Sequence, residues 1–391
     1  MKSIADIKGI KGKTILLRVD FNVPIDNGVI IEDTRIDASI KTINFLQKKG
    51  AKIVIVSHLG RPNGKKNSNY SLSLVHKVLK NKLKRSVFFC TNLKIKNLTN
   101  TITKMKSGSI ILLENIRFLK YEEKTGSRYE KKLAQLFDVF VLDGFGVAHR
   151  KAMTVTEMPK YLPSYAGLSL LQEVQQLDEL MHFTKIGLII GGAKTETKLP
   201  VIKNLIDKSG YVLIGGGIVN TFLKSKGYAT GSSIYSKKVS KKDFAVLDNT
   251  KVITPIDVVI KDRLGNSQII DIGTDKKLCR RGEIILDIGP KTIQLYLQHI
   301  ATSKIIIWNG PMGYIEEQPY HIGSVAIGIA VANSTSKKVK TVIGGGETIQ
   351  LLKQINKLKK ISIVSTGGGA MLEYLSGKEL PGIVALQKNI L

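Results

Sequence analysis

Two sets of turns, one in each half of the chain, carry residues that could do chemistry. In the first half cationic side chains follow short apolar runs, in RVDFN (18–22), SHLGRP (57–62), ENIRF (114–118) and DGFGVAHR (143–150). In the second half glycines take these places, in GGAK (191–194), GGG (215–217), GGGET (344–348) and TGGG (366–369). Arginine and histidine suit a small polyanion, whereas glycine lets backbone N–H groups approach the phosphates of a nucleotide. The pattern predicts a two-domain enzyme that transfers a phosphoryl group.

The cations of the first half would form a basket for phosphate and carboxylate groups. Several arginines at one edge of a parallel sheet can make forked hydrogen bonds to such anions. Taken singly, each arginine could equally belong to a surface ion pair, and Arg18 precedes the end of its strand, which favours a structural role. Asp20 and Asn22 could fix substrate hydroxyls or simply be turn residues. The basket candidates are Arg35, His58, Arg61, Arg117, His149 and Arg150.

In the second half, one lysine pair and one acid stand beside the glycine turns. Lys194 and Lys198 are four residues apart, so a helix would place them on one face, where they could neutralise phosphates. In a chain this rich in lysine they could also be ordinary solvent-facing residues. Glu347 follows three glycines, where a carboxylate can hold Mg²⁺ beside phosphates or simply favour a helix N-terminus.

The sequence lacks the motifs of other nucleotide-binding enzymes and of enzymes that use covalent catalysis. The pattern G-x-x-x-x-G-K-[ST] of Walker-type NTPases is absent, as is the H-R-D sequence of protein kinases. No serine or cysteine lies in a nucleophile elbow, and no histidine pair has metal-ligand spacing. These absences favour direct in-line transfer, driven by positioning and charge neutralisation.

Short β-branched runs alternate with longer helix-like segments, which predicts an α/β protein with mostly parallel sheets. A leucine-patterned stretch near 165–181 predicts a helical connector between the halves, although an ordinary surface helix fits the pattern equally well. Helices are predicted at 35–49 and 72–83. The predicted strands are 14–19, 52–57, 87–89, 110–113 and 139–142 in the first half, and 186–190, 211–214, 252–254, 304–308, 341–343 and 362–365 in the second.

Composition limits the class of protein. The 391 residues suffice for two domains, and no apolar run reaches the length of about 18 residues that spans a bilayer. Neither a signal peptide nor disulfide use is expected, since the N-terminus lacks an apolar core and the chain has only 2 cysteines, which favours the cytoplasm. The net charge of +29 could indicate nucleic-acid binding, but the lysines are dispersed and no nucleic-acid motif accompanies them. Solvated surface lysines are the preferred interpretation.

Taken together, the motifs resemble the phosphoglycerate kinase family from one end of the chain to the other. The matching blocks include RVDFNVP (18–24), SHLGRP (57–62), LENIRF (113–118), GGAKTETKL (191–199), WNGPMG (308–313) and GGGETI (344–349). The resemblance implies reversible phosphoryl transfer from 1,3-bisphosphoglycerate to MgADP, giving 3-phosphoglycerate and MgATP, in a monomer. The composition, separately, predicts no membrane partner and makes a nucleic-acid partner unlikely. The resemblance also implies two doubly wound Rossmann-like domains with parallel sheets that close about a hinge helix. The implied parts are a substrate domain at 1–166, the hinge helix at 167–182, a nucleotide domain at 183–374 and a tail at 375–391 that returns to the first domain.

The resemblance also implies a role for each site residue. Arg35, Lys194 and Lys198 would be catalytic, and Glu347 would meet the metal. The glycerate substrate would be bound by Asp20, Asn22, Arg35, His58, Arg61, Arg117, His149 and Arg150. The nucleotide would be bound by Lys198, Gly215, Asn309, Glu316, Gly345, Gly346, Glu347 and Thr348.

The chain departs from the family pattern at a few places. Glu347 stands where the family usually has Asp, and Gly144 and Val147 stand where it usually has Ala and Thr. The alternative that these departures keep open is a catalytically weakened nucleotide-binding module with a basic surface.

Overall fold

The computed structural model describes residues 1–389, which form two compact units. The first unit comprises Met1–Gln176 together with the segment that begins at Glu379, and the second comprises Leu177–Lys378. Among the helices of the described residues, none has the length and apolar character that crossing a membrane requires.

The first unit is built on a parallel sheet. Its central strands are buried almost throughout, which is why their sequences are continuous apolar runs rather than alternating ones. The strands of the unit are β1 (Thr14–Arg18), β2 (Ile25–Asp26), β3 (Val29–Ile30), β4 (Lys52–Val56), β5 (Phe88–Cys90), β6 (Ile110–Leu113), β7 (Val139–Leu142) and β8 (Ser164–Ala166). Six of them pair in the order β5-β6-β4-β1-β7-β8, and β2 and β3 form a separate hairpin.

Helices connect these strands as a parallel sheet requires. They are α1 (Thr34–Lys48), α2 (Ser73–Leu83), α3 (Ile95–Thr103) and α4 (Arg128–Ala134). Shorter 3₁₀ turns lie at Ile4–Asp6, Ser68–Tyr70, Ile116–Phe118, Phe145–Val147 and Met158–Lys160, with a π turn at Met153–Glu157. Strand β1 pairs with β4 on one side and with β7 on the other, so the chain leaves the sheet centre in both directions. Such a switch point opens a crevice at the carboxyl ends of the strands, where ligands bind in open α/β sheets.

The boundary between the units falls inside helix α5 (Leu168–Met181). This helix begins on a buried carboxylate, because Asp143 Oδ1 accepts hydrogen bonds from the backbone N–H groups of Ser169 at 2.9 Å and Leu170 at 3.2 Å. Gly167 precedes the helix, and a Cβ there would lie 2.2 Å from Asp143 Oδ1. The glycine therefore lets the carboxylate reach the helix start.

The second unit repeats the parallel design and adds a small antiparallel sheet. Its strands are β9 (Ile186–Ile190), β10 (Ser209–Ile214), β11 (Val252–Ile253), β12 (Asp257–Lys261), β13 (Ser267–Asp271), β14 (Ile284–Ile288), β15 (Ile305–Asn309), β16 (Lys340–Gly344) and β17 (Ile363–Ser365). The parallel sheet has the order β11-β10-β9-β15-β16-β17, and the antiparallel sheet has the order β13-β12-β14.

Seven helices lie in the second unit as described, and one more returns to the first. The helices of the second unit are α6 (Thr195–Leu205), α7 (Gly217–Ser225), α8 (Lys241–Phe244), α9 (Pro290–Ala301), α10 (Ile322–Thr335), α11 (Gly346–Gln354) and α12 (Gly368–Leu375), with 3₁₀ turns at Ala245–Asp248 and Leu358–Lys360. Helix α13 (Pro381–Gln387) belongs to the first unit, where Gly382 N donates to Ala148 O at 2.8 Å.

The predicted α/β class with parallel sheets is confirmed, and every predicted strand occurs within two residues of its expected bounds. The prediction missed β8, the β2–β3 hairpin and the antiparallel sheet. Strand β8 is only 3 residues long and begins with Ser164, so it has no apolar signature. Strand β13 is mostly exposed and carries little of the core pattern, whereas β12 and β14 are largely buried apolar runs that the prediction overlooked.

Candidate active site

The loops after β1 and β4 form the centre of the basket in the first unit. Phe21 N donates to Ser57 Oγ at 2.8 Å, which joins the two loops. Asp20 then lies between two cations, with Oδ2 at 3.7 Å from Arg35 Nε and Oδ1 at 3.8 Å from His58 Nδ1. Arg35 also donates to the backbone carbonyl of Asn22. The structure therefore brings four of the predicted residues together at the carboxyl edge of the sheet.

His58 lies at the base of this basket as a neutral ring. Burial, followed by the positive charges of Arg18, Arg117, Arg150 and Arg35, lowers the pKa of His58 well below its usual value of 6.5. Arg18 Nη2 lies 3.3 Å from His58 Nδ1. Because a guanidinium can only donate, Nδ1 accepts and the ring proton is on Nε2. His58 can therefore donate a hydrogen bond to an anion without carrying a charge.

A network of side-chain amide and backbone hydrogen bonds fixes the loop after β4. Gly60 N donates to Asn22 Oδ1 and Arg117 Nη1 donates to Gly60 O, each at 2.8 Å. Asn115 accepts from Arg117 N at 3.0 Å and donates to Leu59 O at 2.7 Å. Asn22 and Arg117 are thus held by the same turn, next to which Arg61 is exposed to solvent.

The remaining basket residues come from the loop after β7. His149 and Arg150 are half-buried and follow the 3₁₀ turn Phe145–Val147. Arg150 Nε is buried and has no hydrogen-bond partner among residues 1–389. Burial and the charge of Arg150 lower the pKa of Arg117 to about 10. Such mutual repulsion between cations is relieved by an anion, so the arrangement favours an anionic ligand.

Arg18 is buried beneath the basket, at 2% exposure, in agreement with its expected structural role. Its Nη2 lies 3.8 Å from Glu122 Oε1, and Glu122 in turn accepts from the Thr154 hydroxyl at 2.7 Å and from Thr154 N at 3.1 Å. This network connects His58 to the π turn Met153–Glu157, so it supports the basket from below.

In the second unit the glycine turns interlock at the carboxyl edge of the sheet. Gly192 N donates to Pro311 O at 2.8 Å, Gly216 N to Met312 O at 2.7 Å and Gly217 N to Gly192 O at 3.1 Å. Gly216 has a φ of +57°, and a Cβ there would lie 2.8 Å from Gly192 N. A side chain would separate the turns, which is why glycines occur at the strand ends.

Lys198 and Asn309 form the polar centre of this unit. Lys198, in α6, donates its Nζ to Asn309 Oδ1 at the end of β15. Burial lowers the pKa of Lys198 to about 8; Glu347 opposes this effect, and Lys194 adds to it. Asn309 Nδ2 is buried and has no hydrogen-bond partner within residues 1–389. A cation and an amide donor are therefore available to a phosphate that enters here.

The two lysines differ in setting. Lys194 is the N-cap of α6 and is exposed, whereas Lys198 is buried one turn further along. The alternative that both are ordinary solvent-facing lysines therefore fits Lys194 but not Lys198. Lys194 remains free to move toward a phosphate, but Lys198 is fixed.

The turn after β16 carries the predicted phosphate and metal residues. Gly345 has a φ of +102° and caps α11, whose first turn contains the exposed residues Gly346 and Glu347. Thr348 is buried, and its hydroxyl accepts from Gly310 N at 3.0 Å, which ties this turn to the end of β15. Among the described residues no cluster of three histidine, cysteine or acidic side chains could hold a metal ion alone.

A cavity of about 220 Å³ opens beside these turns. Its lining includes Gly192, Gly216, Met312 and residues of β14, together with the carboxylates Glu316 and Glu347. The lining is mostly apolar, with carboxylates at the border, so it suits a flat ring with polar substituents. Gly215 lies behind it, buried, where a Cβ would meet Met312 Sδ at 2.7 Å.

Several positioning residues were not foreseen. Asn115, Glu122 and Asp143 are buried and orient basket loops or the start of α5. Asn115 and Asp143 lie in the quoted ENIRF and DGFGVAHR stretches, but nothing in their type distinguishes a supporting amide or carboxylate from a turn residue. Their roles became visible only through their long-range partners.

The sequence is similar to proteins of the phosphoglycerate kinase family. A family model described as phosphoglycerate kinase matches residues 4–378. A phosphoglycerate kinase of Borreliella afzelii (strain PKo) is 39% identical over 395 residues, which cover 99% of this chain and 100% of that protein. One of Thermosipho africanus (strain TCF52B) is 40% identical over 396 residues, covering 98% of this chain and 97% of that protein.

Solved structures agree. The phosphoglycerate kinase from Pyrococcus horikoshii OT3 matches with a TM-score of 0.86 at 31% identity, over 99% of this chain and 98% of that one. The structure of phosphoglycerate kinase from Coxiella burnetii matches with a TM-score of 0.80 at 32% identity, over the same shares of the two chains.

Proposed function

The chain belongs to the phosphoglycerate kinase family, and from that premise we propose how its residues transfer the phosphoryl group. The reaction is the reversible transfer from 1,3-bisphosphoglycerate to MgADP, giving 3-phosphoglycerate and MgATP in glycolysis. The observation that carries the proposal is that the two units hold different kinds of binding residues. One unit has clustered cations at its sheet edge, and the other has interlocked glycine turns with a buried lysine. A catalytically weakened binding module is not favoured, because both sets of charged groups are in place.

In the first unit we assign the glycerate substrate to the basket. Arg117 and Arg150 bind the substrate's phosphate, and neutral His58 donates Nε2–H to an anionic oxygen of the substrate. Asp20 and Asn22 accept from its hydroxyl, and Arg61 and His149 complete the rim. Arg35 is poised to leave Asp20 for the transferring phosphoryl group, since its Nε lies 3.7 Å from that carboxylate.

In the second unit we assign the nucleotide to the glycine turns. The adenine ring enters the cavity of about 220 Å³, and Glu316 at its border accepts from the ribose hydroxyls. The N–H groups of Gly345, Gly346 and Thr348 face the phosphates at the start of α11. Lys198 and Lys194 neutralise the moving charge, and Asn309 orients Lys198.

Magnesium is proposed to arrive with the nucleotide. The protein alone offers no metal cage among its described residues, and Mg²⁺ is commonly held by one or two carboxylates together with phosphates and water. Glu347 is exposed at the start of α11 and borders the nucleotide cavity, so it fits that single-carboxylate role. When bound, the ion would offset charge on the phosphates.

In-line transfer requires the two ligands to come within about 3–3.5 Å of each other. We therefore propose that the units close about α5 when both ligands are bound, and that the enzyme works as a cytoplasmic monomer. Small-angle scattering should give a smaller radius of gyration with both ligands than with neither. An unchanged radius in a fully active enzyme would exclude closure.

The assignment of roles is tested by Arg35→Ala with Arg85→Ala as the matched control. Arg85 is an exposed arginine of the same unit and lies outside the basket. Removing a group that stabilises charge only in the transition state costs on the order of 10²–10³ in turnover. We expect that loss for Arg35→Ala at unchanged MgADP affinity, and no loss for the control. If MgADP affinity collapses while turnover at saturation survives, the two units have been assigned the wrong ligands.

A further inference from the structure

A second cavity, separate from the proposed active site, opens in the first unit beside the end of β5. Its volume is about 990 Å³, and none of the residues assigned above to substrate or nucleotide lines it. The loop after β5, the segment after β6 and the start of α4 form its walls.

The charge of this cavity is of one sign. Its lining includes five cationic residues and no acidic one. None of the five forms an ion pair within residues 1–389, although other lysines of the same unit, such as Lys82 and Lys160, do. The five are Lys66, Lys94, Lys96, Arg128 and Lys132. Clustered cations without counter-charges in a concave wall concentrate the positive potential there.

Aromatic rings are interleaved with these cations. Tyr121 and Tyr129 stack with their centroids 5.5 Å apart and their planes at 17°. The Tyr129 hydroxyl donates to Leu93 O at 2.5 Å, which fixes its ring to the loop after β5. Tyr121 is 36% exposed, and Lys120 Nζ lies 6.0 Å from its centroid, which brings a further cation to the rim. Phe118 adds a third ring to the lining.

We propose that this cavity binds a short segment of single-stranded nucleic acid. Cationic grooves that follow a phosphate backbone, with aromatic rings on which bases stack, are the usual means of binding such strands. A small inorganic polyphosphate would use the cations but not the rings. The volume is at the upper end of the range for small-molecule pockets, about 300–1,000 Å³, so it has room for more than one nucleotide.

The test measures binding of a short fluorescein-labelled oligothymidylate and oligouridylate to the full chain by fluorescence anisotropy. The logarithm of the affinity should fall with the logarithm of salt concentration with a slope of about −0.7 per phosphate contacted, or about −3 to −4 for five contacts. The triple variant Lys94→Gln/Lys96→Gln/Lys132→Gln should reduce that slope by about 2.

The matched control is Lys41→Gln/Lys77→Gln/Lys80→Gln, which removes the same charge from exposed positions on α1 and α2. It should leave binding and slope nearly unchanged. Tyr121→Ala should weaken oligonucleotide binding on the order of tenfold, because it removes a stacking surface. The same substitution should not change competition by tripolyphosphate.

Equal losses in the two triple variants would overturn the proposal, because the net charge alone would then explain binding. The proposal would also be overturned if tripolyphosphate or polyglutamate, compared at equal charge, displaced the labelled strand as effectively as unlabelled oligothymidylate does. An unchanged oligonucleotide affinity in Tyr121→Ala would overturn it too. Kinase turnover should be the same in both triple variants and the parent, so failure of this proposal would leave the proposed function untouched.

Discussion

The buried lysine of the nucleotide unit gives the sharpest prediction. Lys198 is 8% exposed, and burial lowers its pKa from 10.5 to about 8 in the ligand-free protein. Near neutral pH the side chain is therefore charged in a place that disfavours charge. Holding a charge in this buried position costs folding free energy. The substitution Lys198→Met tests that cost, because it keeps the side-chain volume and removes the ammonium group.

The magnitude follows from the shift in pKa. Between pH 8 and 10.5 the unfolded chain holds a proton that native Lys198 has lost, so the free energy of unfolding rises with pH in this window. Each unit of pKa is worth about 1.36 kcal/mol. From about pH 7 to about pH 10 the parent should gain about 2–3 kcal/mol relative to Lys198→Met. Other titrating groups are common to both proteins and cancel in the difference.

The assay is denaturant unfolding of both proteins across this pH range, followed by tryptophan fluorescence. The only tryptophan, Trp308, is fully buried in β15, so its emission reports the unit that contains Lys198. Near neutral pH the variant should unfold at a denaturant concentration close to that of the parent or above it, while losing turnover. A difference in stability that does not change with pH would refute the depressed pKa.

Nucleotide binding should reverse the shift. If a phosphate pairs with Lys198, the charged form is favoured again and the protein takes up a proton as MgATP binds. At about pH 8.5, calorimetry in buffers of different ionisation enthalpy should detect uptake of roughly half a proton or more. Lys198→Met should abolish that uptake. Equal uptake by parent and variant would place the proton on another group and remove Lys198 from the phosphate site.

Three further predictions concern the departures from the family pattern and the basket support. Glu347→Ala should lose most activity at limiting Mg²⁺ while Glu347→Asp retains it, as measured by initial rates against metal concentration; parental rates for Glu347→Ala would make the residue only a helix-start acid. Gly144→Ala should destabilise the first unit by about 1–3 kcal/mol in thermal unfolding, since its Cβ would lie 3.0 Å from Asp20 N and 3.1 Å from both Val19 C and Val147 Cγ2. Adding Val147→Ala should restore only the part of the loss that comes from the side-chain contact. Glu122→Gln should cost up to about 3–5 kcal/mol, because it removes the carboxylate that most favours the charge of buried Arg18 and leaves only the lesser effect of Asp20. A double-mutant cycle with Arg18→Met should show strong coupling.

Much of the sheet framework could be predicted because buried parallel strands are continuous apolar runs. Strands such as β6 and β9, buried at every position, needed no tertiary information. Strand β13 could not be found without tertiary information, since its residues are mostly exposed and it is defined by pairing with β12. The basket was predictable as a list of residues, because topology brings the carboxyl ends of adjacent parallel strands to one edge. Which of these residues contact one another, and which are buried, could not be predicted.

The limits at the site have a physical cause. Lys194 and Lys198 look equivalent in sequence, yet one caps α6 and is exposed while the other is buried against Asn309. Helical spacing predicts which residues share a face, but burial depends on what packs against that face. His58 illustrates the same point, since its lowered pKa comes first from burial and then from the charges of arginines such as Arg18, which lies 40 positions away in sequence.

The supporting carboxylates show why such features escape a sequence reading. Asp143 caps α5, Asp257 accepts from Thr292 N at the start of α9 at 2.8 Å, and Asp287 accepts from Gly323 N at the start of α10 at 2.7 Å. In each case the cap lies 26 to 36 residues from the helix that it serves, so no local capping signal exists. What the sequence does show is a glycine at each contact, because a Cβ at Gly167, Gly289 or Gly323 would lie within 2.5 Å of the carboxylate. A glycine just before or within the first turn of a helix that lacks its own cap is therefore the signal to seek, and it indicates that a distant carboxylate takes the place of a local one.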